Sequence, residues 1–484
     1  MPGKHQLHLV DYLDTSEGGG QAKRAAVERR LVRKLDTVML PLFCLLNFFS
    51  YVGRANLGNA KTDGLEKDVG LHGQDYSNII TAFYIVFGFC SSFLCVTTKK
   101  FGPRRMIPIY VFGWGLMGTC SAFAKNFGGL LVLRVLLGFF EAGFGSSTIL
   151  CLSLVYKRDE LARRIAMPYV FAALAAAFSG LVSYGVFQIN SPVLHGWQIL
   201  FILEGLLTIS CAPLAYCFLP NKLETVWWLT PEERSLAIER MQQDGSNVVD
   251  SSFSLKDCVK PFLDVRTYAW GIIAVSYGVS VATMSNFLPQ IISRLGYSTV
   301  TTNLLTCGPS VWGAIAVFAI STSSDKLRDR SGHLIAIMCF NLIGFSMLYA
   351  VSPSKIWTLY GACFIAATGS WVPSVVFHTW HCNNQLDENK RALDAGIFTM
   401  CANGAGIITA QTFRAVEKPL YRTNLIATFS FASICIAVTV GVRAWMTIDN
   451  RRRDRQEGVP RKSWSVDSNE LVDGEKDVRW RWQY

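Results

Sequence analysis

The feature that most constrains this chain is its alternation of apolar blocks, each near the roughly 20 residues that a helix needs to cross a bilayer, with polar or charged loops. A segment in lipid must satisfy its own backbone hydrogen bonds, so each block predicts a transmembrane helix. The blocks fall at about residues 37–52, 77–96, 105–124, 129–155, 165–187 and 197–219. After a polar stretch they resume at about 266–288, 302–321, 333–350, 356–377, 393–413 and 423–444. The expected fold is therefore all-α, with twelve spans in two six-helix bundles. Its parts are an N-terminal segment (1–36), a first bundle (37–219), a central loop (220–265), a second bundle (266–444) and a tail (445–484). Composition agrees, because 51% of the 484 residues are hydrophobic and only 17% are charged.

A net charge of +11 raises the question of nucleic acid. The basic residues, however, gather beside the ends of apolar blocks and form no single long patch. Their distribution sets an orientation instead. One set of short loops holds Lys99, Lys100, Arg104 and Arg105, then Lys157, Arg158, Arg163 and Arg164, then Lys326, Arg328 and Arg330, then Lys390 and Arg391. The alternate loops are poorer in Lys and Arg, and the runs from Lys23 to Lys34 and from Arg451 to Arg455 add to the bias. Both termini are thus expected in the cytosol, with the plasma membrane as location in the absence of an organelle address. The N-terminal stretch is polar and lacks a signal-peptide core, which leaves insertion to the first span. Most of the 14 Cys lie within apolar blocks without metal-type spacing, and read as small packing residues. In the central loop, Thr230-Pro231-Glu232-Glu233 forms a capping box and predicts a helix from Pro231 to about Gln243. The tail from Arg451 onward reads as disordered.

The fourth block carries Arg134-Val-Leu-Leu-Gly138-Phe-Phe-Glu141-Ala-Gly143. With it go Arg54-Ala-Asn56-Leu-Gly58-Asn59-Ala60 in the first block and Phe201-Ile-Leu-Glu204-Gly205 in the sixth. Leu229-Thr-Pro-Glu-Glu-Arg234 and Asn383-Asn384 before Lys390-Arg391 complete the set. In these segments the chain resembles the anion:cation symporter family of the major facilitator superfamily, especially its fungal allantoate permease branch, over nearly the whole membrane region. The resemblance implies proton-linked import of a carboxylate such as a vitamin, a ureide or a related metabolite, and an anion-contacting arginine at Arg54. Two departures stand out. The loop after the second block reads Thr98-Lys99-Lys100-Phe101-Gly102-Pro103-Arg104-Arg105, with Lys99 where the superfamily has Asp, whereas Ser324-Asp325-Lys326-Leu-Arg328 keeps its acid. The first block has Gly53-Arg54 where the family has an Asp-Arg pair.

Ionisable groups inside a span are costly unless they face protein or a water-filled cavity, which singles out Arg134 and Glu141. Seven residues apart, they share a helix face about 10 Å apart along the axis and can line one cavity without pairing. Arg134 offers a planar fork to a carboxylate, and Glu141 a site for the coupling proton. Gly138 and Gly143 would let a neighbouring helix approach closely. Arg54 is a second cationic contact, or else a residue reaching the interface. Asn286 and Gln290, at i and i+4 on the seventh block, and Asn403 on the eleventh are substrate-binding candidates, with interhelical hydrogen bonding as the plainer role. Asn56 is a weaker candidate of the same kind, and Glu204 reads as the structural partner of an arginine. His378 and His381 flank Trp380, with no Cys or carboxylate cluster to suggest metal, and Trp380 fits an interfacial belt. Pro373, beside Trp371, suggests a hinge.

No phosphate-binding loop, dinucleotide fingerprint or catalytic triad occurs, so neither ATP-driven pumping nor an enzyme is indicated. The reading is a secondary active transporter of a small organic anion. Its partners are that anion, a proton and the lipid bilayer, with no cofactor, metal, nucleic acid or second subunit. The rivals are an exporter of a secondary metabolite and a non-transporting nutrient receptor with a transporter fold.

Overall fold

A computed structural model describes residues 4–156, 158–189, 191–243, 264–385, 388–461 and 477–484. Twelve long helices carry the fold: α1 (Lys4–Thr62), α2 (Asp75–Phe101), α3 (Pro103–Ser121), α4 (Phe127–Ser153), α5 (Arg158–Val186), α6 (Gly196–Phe218), α7 (Val265–Ser293), α8 (Cys307–Leu327), α9 (Arg330–Ala350), α10 (Ile356–Asn383), α11 (Glu388–Thr412) and α12 (Arg422–Glu457). The short helix Thr299–Leu305 leads into α8. Among the described residues there is no strand. Eight of the spans are apolar enough to cross a bilayer by length and composition alone, and α2, bent by 47°, makes a ninth. The spans α3, α5 and α11 are more polar, and packing between neighbours places them in the bundles.

In the first bundle α2 packs on α4, α3 on α6 and α1 on α5. In the second, α7 packs on α11, α9 on α10 and α9 on α12. The halves meet where α1 faces α7, α2 faces α11 and α5 faces α8. Glycine lets backbones close at these crossings. A Cβ at Gly138 would lie 2.8 Å from the Phe83 carbonyl oxygen, and one at Gly143 would lie 2.6 Å from the Tyr110 ring. Both are small because α2 and α3 lean on them.

One face of the bundle gathers both termini and the central loop. The helix Pro231–Gln243 has the expected capping box, in which Glu233 N–H donates to Thr230 Oγ1 at 3.3 Å and Thr230 N–H donates to Glu233 Oε2 at 3.0 Å. It docks on the start of α1 through Lys34–Glu233 at 2.8 Å and Arg24–Glu239 at 2.6 Å. In the second half, Asp325 pairs with Arg330. Asp329 caps α9 by accepting from Gly332 N–H at 2.9 Å, and Arg443 sits 2.8 Å away. Burial works against the Asp329 charge, but these contacts outweigh it and hold the carboxyl below its ordinary range.

The tail departs from the disordered reading. α12 runs on to Glu457, and residues 477–484 fold back against the second bundle; residues 462–476 lie outside the described residues. Arg481 is buried between Asp454 and Glu457 at 2.8 and 3.0 Å, and Trp482 Nε1 donates to Asp449 at 2.7 Å. Trp380 is therefore no belt residue: it is fully buried, and its Nε1 donates to the Gln483 carbonyl at 2.9 Å. That carbonyl lies in a segment about a hundred residues away, and the aromatic partner of Trp380 is Trp270 on α7 at 4.5 Å, neither of which hydropathy registers.

The tight α2–α4 crossing has a measurable consequence. Gly138→Ala forces the Phe83 backbone to give way and should destabilise detergent-purified protein by about 1–3 kcal/mol, typical of an overpacked contact. Gly145→Ala, with open space around its Cβ, should melt at the wild-type temperature. Equal melting of the two variants would show that the crossing is looser than described.

Candidate functional site

The centre of the site is an ion pair inside the membrane region. Ser50, Tyr51 and Arg54 fall on adjacent positions of α1 one turn apart, which directs them toward α4 and the second half. Arg54 donates to Glu141 Oε1 through Nε at 3.0 Å and Nη2 at 2.7 Å, and Ser50 Oγ donates to the same oxygen. The third arm of the guanidinium crosses to the other bundle, where Nη1 donates to Asn403 Oδ1 of α11 at 3.0 Å. Asn403 is fixed in turn by its Nδ2, which donates to the Thr399 carbonyl at 2.9 Å. The Arg54 side chain is only 10% exposed and Glu141 only 3%. Arg54 is thus no interfacial residue, and the partner of Glu141 is Arg54 rather than any residue of its own helix. The rings of Tyr51, Phe83 and Phe87 lie within 5.0–5.6 Å of the guanidinium carbon and form an apolar collar around the charge.

Beside Arg54 lies a cavity of about 40 Å³, lined chiefly by Tyr51, Tyr277, Trp371, Ser374, His378 and Asn403. Waters fit in such a space, whereas a benzene-sized ring needs about 150 Å³. The cavity is therefore closed down around its polar groups. Trp371 meets Tyr51 edge to face at 6.4 Å, which places the Pro373 segment of α10 against α1. His378 Nε2 is 3.4 Å from the Tyr277 hydroxyl, and His381 Nε2 is 3.4 Å from Asp394. The sequence had flagged His378 only for metal, and Ser50, Tyr51 and Tyr277 not at all. They belong here because of helix rotation, for which a lone tyrosine or serine in an apolar block gives no signal.

The remaining candidates lie farther from the terminal face. Asn286 Nδ2 donates to the Tyr84 hydroxyl at 2.9 Å and Gln290 Nε2 to the Gly58 carbonyl at 3.0 Å, both between halves. Thr299 and Asn303 reach Thr62, and Gln411 reaches Thr81 at 2.7 Å, on the same side. The hydrogen bonds that join the halves thus cluster from mid-depth to the face away from the termini. The halves close on that face, leaving a pocket of about 290 Å³ lined by Lys61, Glu66, Gln290 and Lys418.

Arg134 stands apart from Glu141. It is buried, its Nε has no hydrogen-bond partner, and its guanidinium lies 5.2 Å above the Phe201 ring. Among the described residues it forms no ion pair. Glu204 was expected to pair with an arginine and does not. Its Oε2 accepts from Asn56 Nδ2 at 2.8 Å, and Asn56 Oδ1 accepts from Ser179 Oγ at 2.5 Å.

Comparison with known proteins places this architecture. The family model described as Major Facilitator Superfamily matches residues 43–410. The chain is 40% identical over 460 residues to the major facilitator-type transporter hxnP of Emericella nidulans, covering 94% of this chain and 93% of that one. It is 28% identical over 426 residues to the high-affinity nicotinic acid transporter of Saccharomyces cerevisiae, covering 88% and 79%. Among solved structures, a D-xylose–proton symporter aligns with TM-score 0.62 at 12% identity over 84% of this chain and 96% of that one, a likeness of fold.

Removing one member of a buried ion pair strands the other and costs about 3–5 kcal/mol. Arg54→Ala should therefore lose folded protein on solubilisation, and Glu141→Ala added to it should recover much of the loss. A double-mutant cycle in detergent melting measures this, with about 1 kcal/mol or more of coupling expected for groups in contact. Additive losses would mean that the pair does not exist in the folded protein.

Proposed function

The chain belongs to the Major Facilitator Superfamily, and from that premise we propose that it is a proton-linked importer of a small organic anion, a member of the anion:cation symporters. The observation that carries this reading is the Arg54–Glu141 pair at mid-depth, with Asn403 of the opposite half on the same guanidinium. An incoming carboxylate is a chemical match for Glu141 and competes with it for the planar fork of Arg54. When the cargo takes that place, Glu141 loses its cation and becomes a proton acceptor in an apolar collar. Anion binding and proton uptake are thereby linked at one atom.

The walls suggest the kind of anion. Tyr51, Tyr277 and Trp371 offer ring faces and edges, with His378 and Ser374 as polar points, and this suits a flat aromatic carboxylate. The name of the yeast relative, a nicotinic acid transporter, points the same way. Binding must first enlarge the cavity. Opening of the closed face would break the Asn286–Tyr84 and Gln290–Gly58 bonds and free those amides, with Arg134, to meet the cargo on its way in. Pro373 is the proposed hinge of α10.

A radiolabelled uptake screen over small carboxylates, nicotinate first, tests cargo and direction together. Accumulation supports import, and depletion of preloaded cells would identify an exporter. Binding without either would identify a receptor. Arg134→Lys should weaken apparent affinity, because an ammonium cannot reproduce two parallel donors. Normal affinity would remove Arg134 from the cargo path.

The proposed setting is the plasma membrane with both termini in the cytosol, from the basic loops of the terminal face. An impermeant thiol reagent applied outside should label Ser191→Cys and spare Asp159→Cys. The opposite pattern would invert the orientation.

Coupling through Glu141 makes a sharper demand. Glu141→Gln mimics the protonated form permanently, so uptake against a gradient should fail while exchange of labelled for unlabelled cargo survives. Both activities, normalised to surface protein, falling in proportion would assign Glu141 a structural role only.

A further inference from the structure

The first bundle holds a second carboxyl that the Arg54–Glu141 pair does not use. Glu204 lies within the apolar run Ile199–Leu207 of α6 and points at α1. A Cβ built at Gly53 would sit 2.5 Å from Glu204 Oε1. The absence of a side chain at position 53 is thus what admits the carboxyl against the α1 backbone, one residue before Arg54. Its other oxygen accepts from Asn56, itself tied to Ser179 and Asn59.

Glu141 has a cation and a hydroxyl on one oxygen, whereas Glu204 has one neutral amide donor and no ion pair among the described residues. Asn56 and Gly53 of α1 face Glu204, α3 packs most closely on α6 and sets Gly115 and Thr119 against the neighbouring Gly205, and Arg134 and Glu141 of α4 are the charged groups within electrostatic reach. Arg134 of α4, a buried guanidinium with an unpartnered Nε, makes no ion pair with it. A buried carboxyl that no cation or hydroxyl holds as its anion can take up a proton when the charges around it change.

We propose that Glu204 is a second proton-carrying residue of the transport cycle, so that two protons, one on Glu141 and one on Glu204, accompany each anion. The step is a proton transfer only. The carboxylate of Glu204 takes a proton arriving through the open face and gives it up to water on the other side, and no other bond forms or breaks. This inference rests on the proton-linked reading above and adds a second site to it.

Two measurements test it. The first needs no cargo: infrared difference spectra of reconstituted protein between acid and neutral pH should contain a protonated-carboxyl band that Glu204→Gln lacks and Glu141→Gln keeps. A wild-type band unchanged in Glu204→Gln overturns the proposal whatever the cargo is. The second uses radiolabelled nicotinate in proteoliposomes clamped at zero membrane potential. Each coupled proton contributes about tenfold accumulation per pH unit. The wild type should then reach about a hundredfold per unit and Glu204→Gln about tenfold, with exchange intact in both. Equal accumulation in the two sinks the role of Glu204 alone, while wild-type exchange without proton-driven accumulation sinks the proton-linked reading and this inference with it. Should Glu204→Gln not fold, Gly53→Asp with Glu204→Ala moves the carboxyl across the same gap. A return to about a hundredfold supports the proposal, and about tenfold overturns it.

Discussion

Everything in the first bundle is arranged around the cost of keeping a charge in a membrane. Arg54 could not sit at mid-depth alone, and Glu141, Asn403 and three aromatic rings take up its donors and its field. That set of contacts fixes the rotation of α1, because Ser50 and Arg54 must meet Glu141 of α4, Arg54 must also meet Asn403 of α11, and Asn56 must meet Glu204 of α6. It also fixes the depth of α4. The glycines at 138 and 143 then follow, since α4 must lie close enough to α2 and α3 for Glu141 to reach the centre.

The same interaction explains why the two halves can move. Of the arms of Arg54, one alone crosses to the second bundle, and it meets a neutral amide. The cross-bundle contacts of Asn286, Gln290 and Asn303 are likewise neutral hydrogen bonds, each contributing of the order of 1 kcal/mol net. An interface held this way can open at modest cost, whereas the buried ion pair lies within one half and travels with it. The ion pair Lys418–Glu66 also joins the halves, at 3.4 Å and partly exposed to solvent, where such a pair contributes little.

How much of this the sequence carried follows from what hydropathy measures. The block lengths located the twelve helices, and the cost of intramembrane charge singled out Arg134 and Glu141, because both are properties of one segment at a time; Arg54 was carried by the family resemblance. Pairing is not. The seven-residue spacing put Arg134 and Glu141 on one face, yet the partner of Glu141 came from α1 and Arg134 was left facing Phe201. Trp380 carried an ordinary belt signature, and its buried partners, the Trp270 ring of α7 and the Gln483 carbonyl of the returning segment, both lie about a hundred residues away. His378 and Tyr277 entered the cavity through helix rotation, for which an apolar face with few polar residues leaves almost no trace. Glu204 against Gly53 depends on a missing side chain on one helix and a present one on another, a relation that no single-segment pattern can contain.

The charges around the centre also bear on the proton linkage proposed above. Arg54 and Arg134 are two cations, and Glu141 and Glu204 are two acids, all on α1, α4 and α6 at neighbouring depths. With both acids ionised the group is neutral, a state a low-dielectric interior tolerates. An anion that displaces Glu141 from Arg54 brings one uncompensated negative charge into that interior, and an isolated buried charge costs far more than a hydrogen bond returns. The penalty vanishes if one of the acids accepts a proton as the anion enters. On this argument cargo and proton do not need a dedicated linkage between separate sites. In that proposal they are joined because a proton taken up by a buried acid offsets the negative charge that the anion brings.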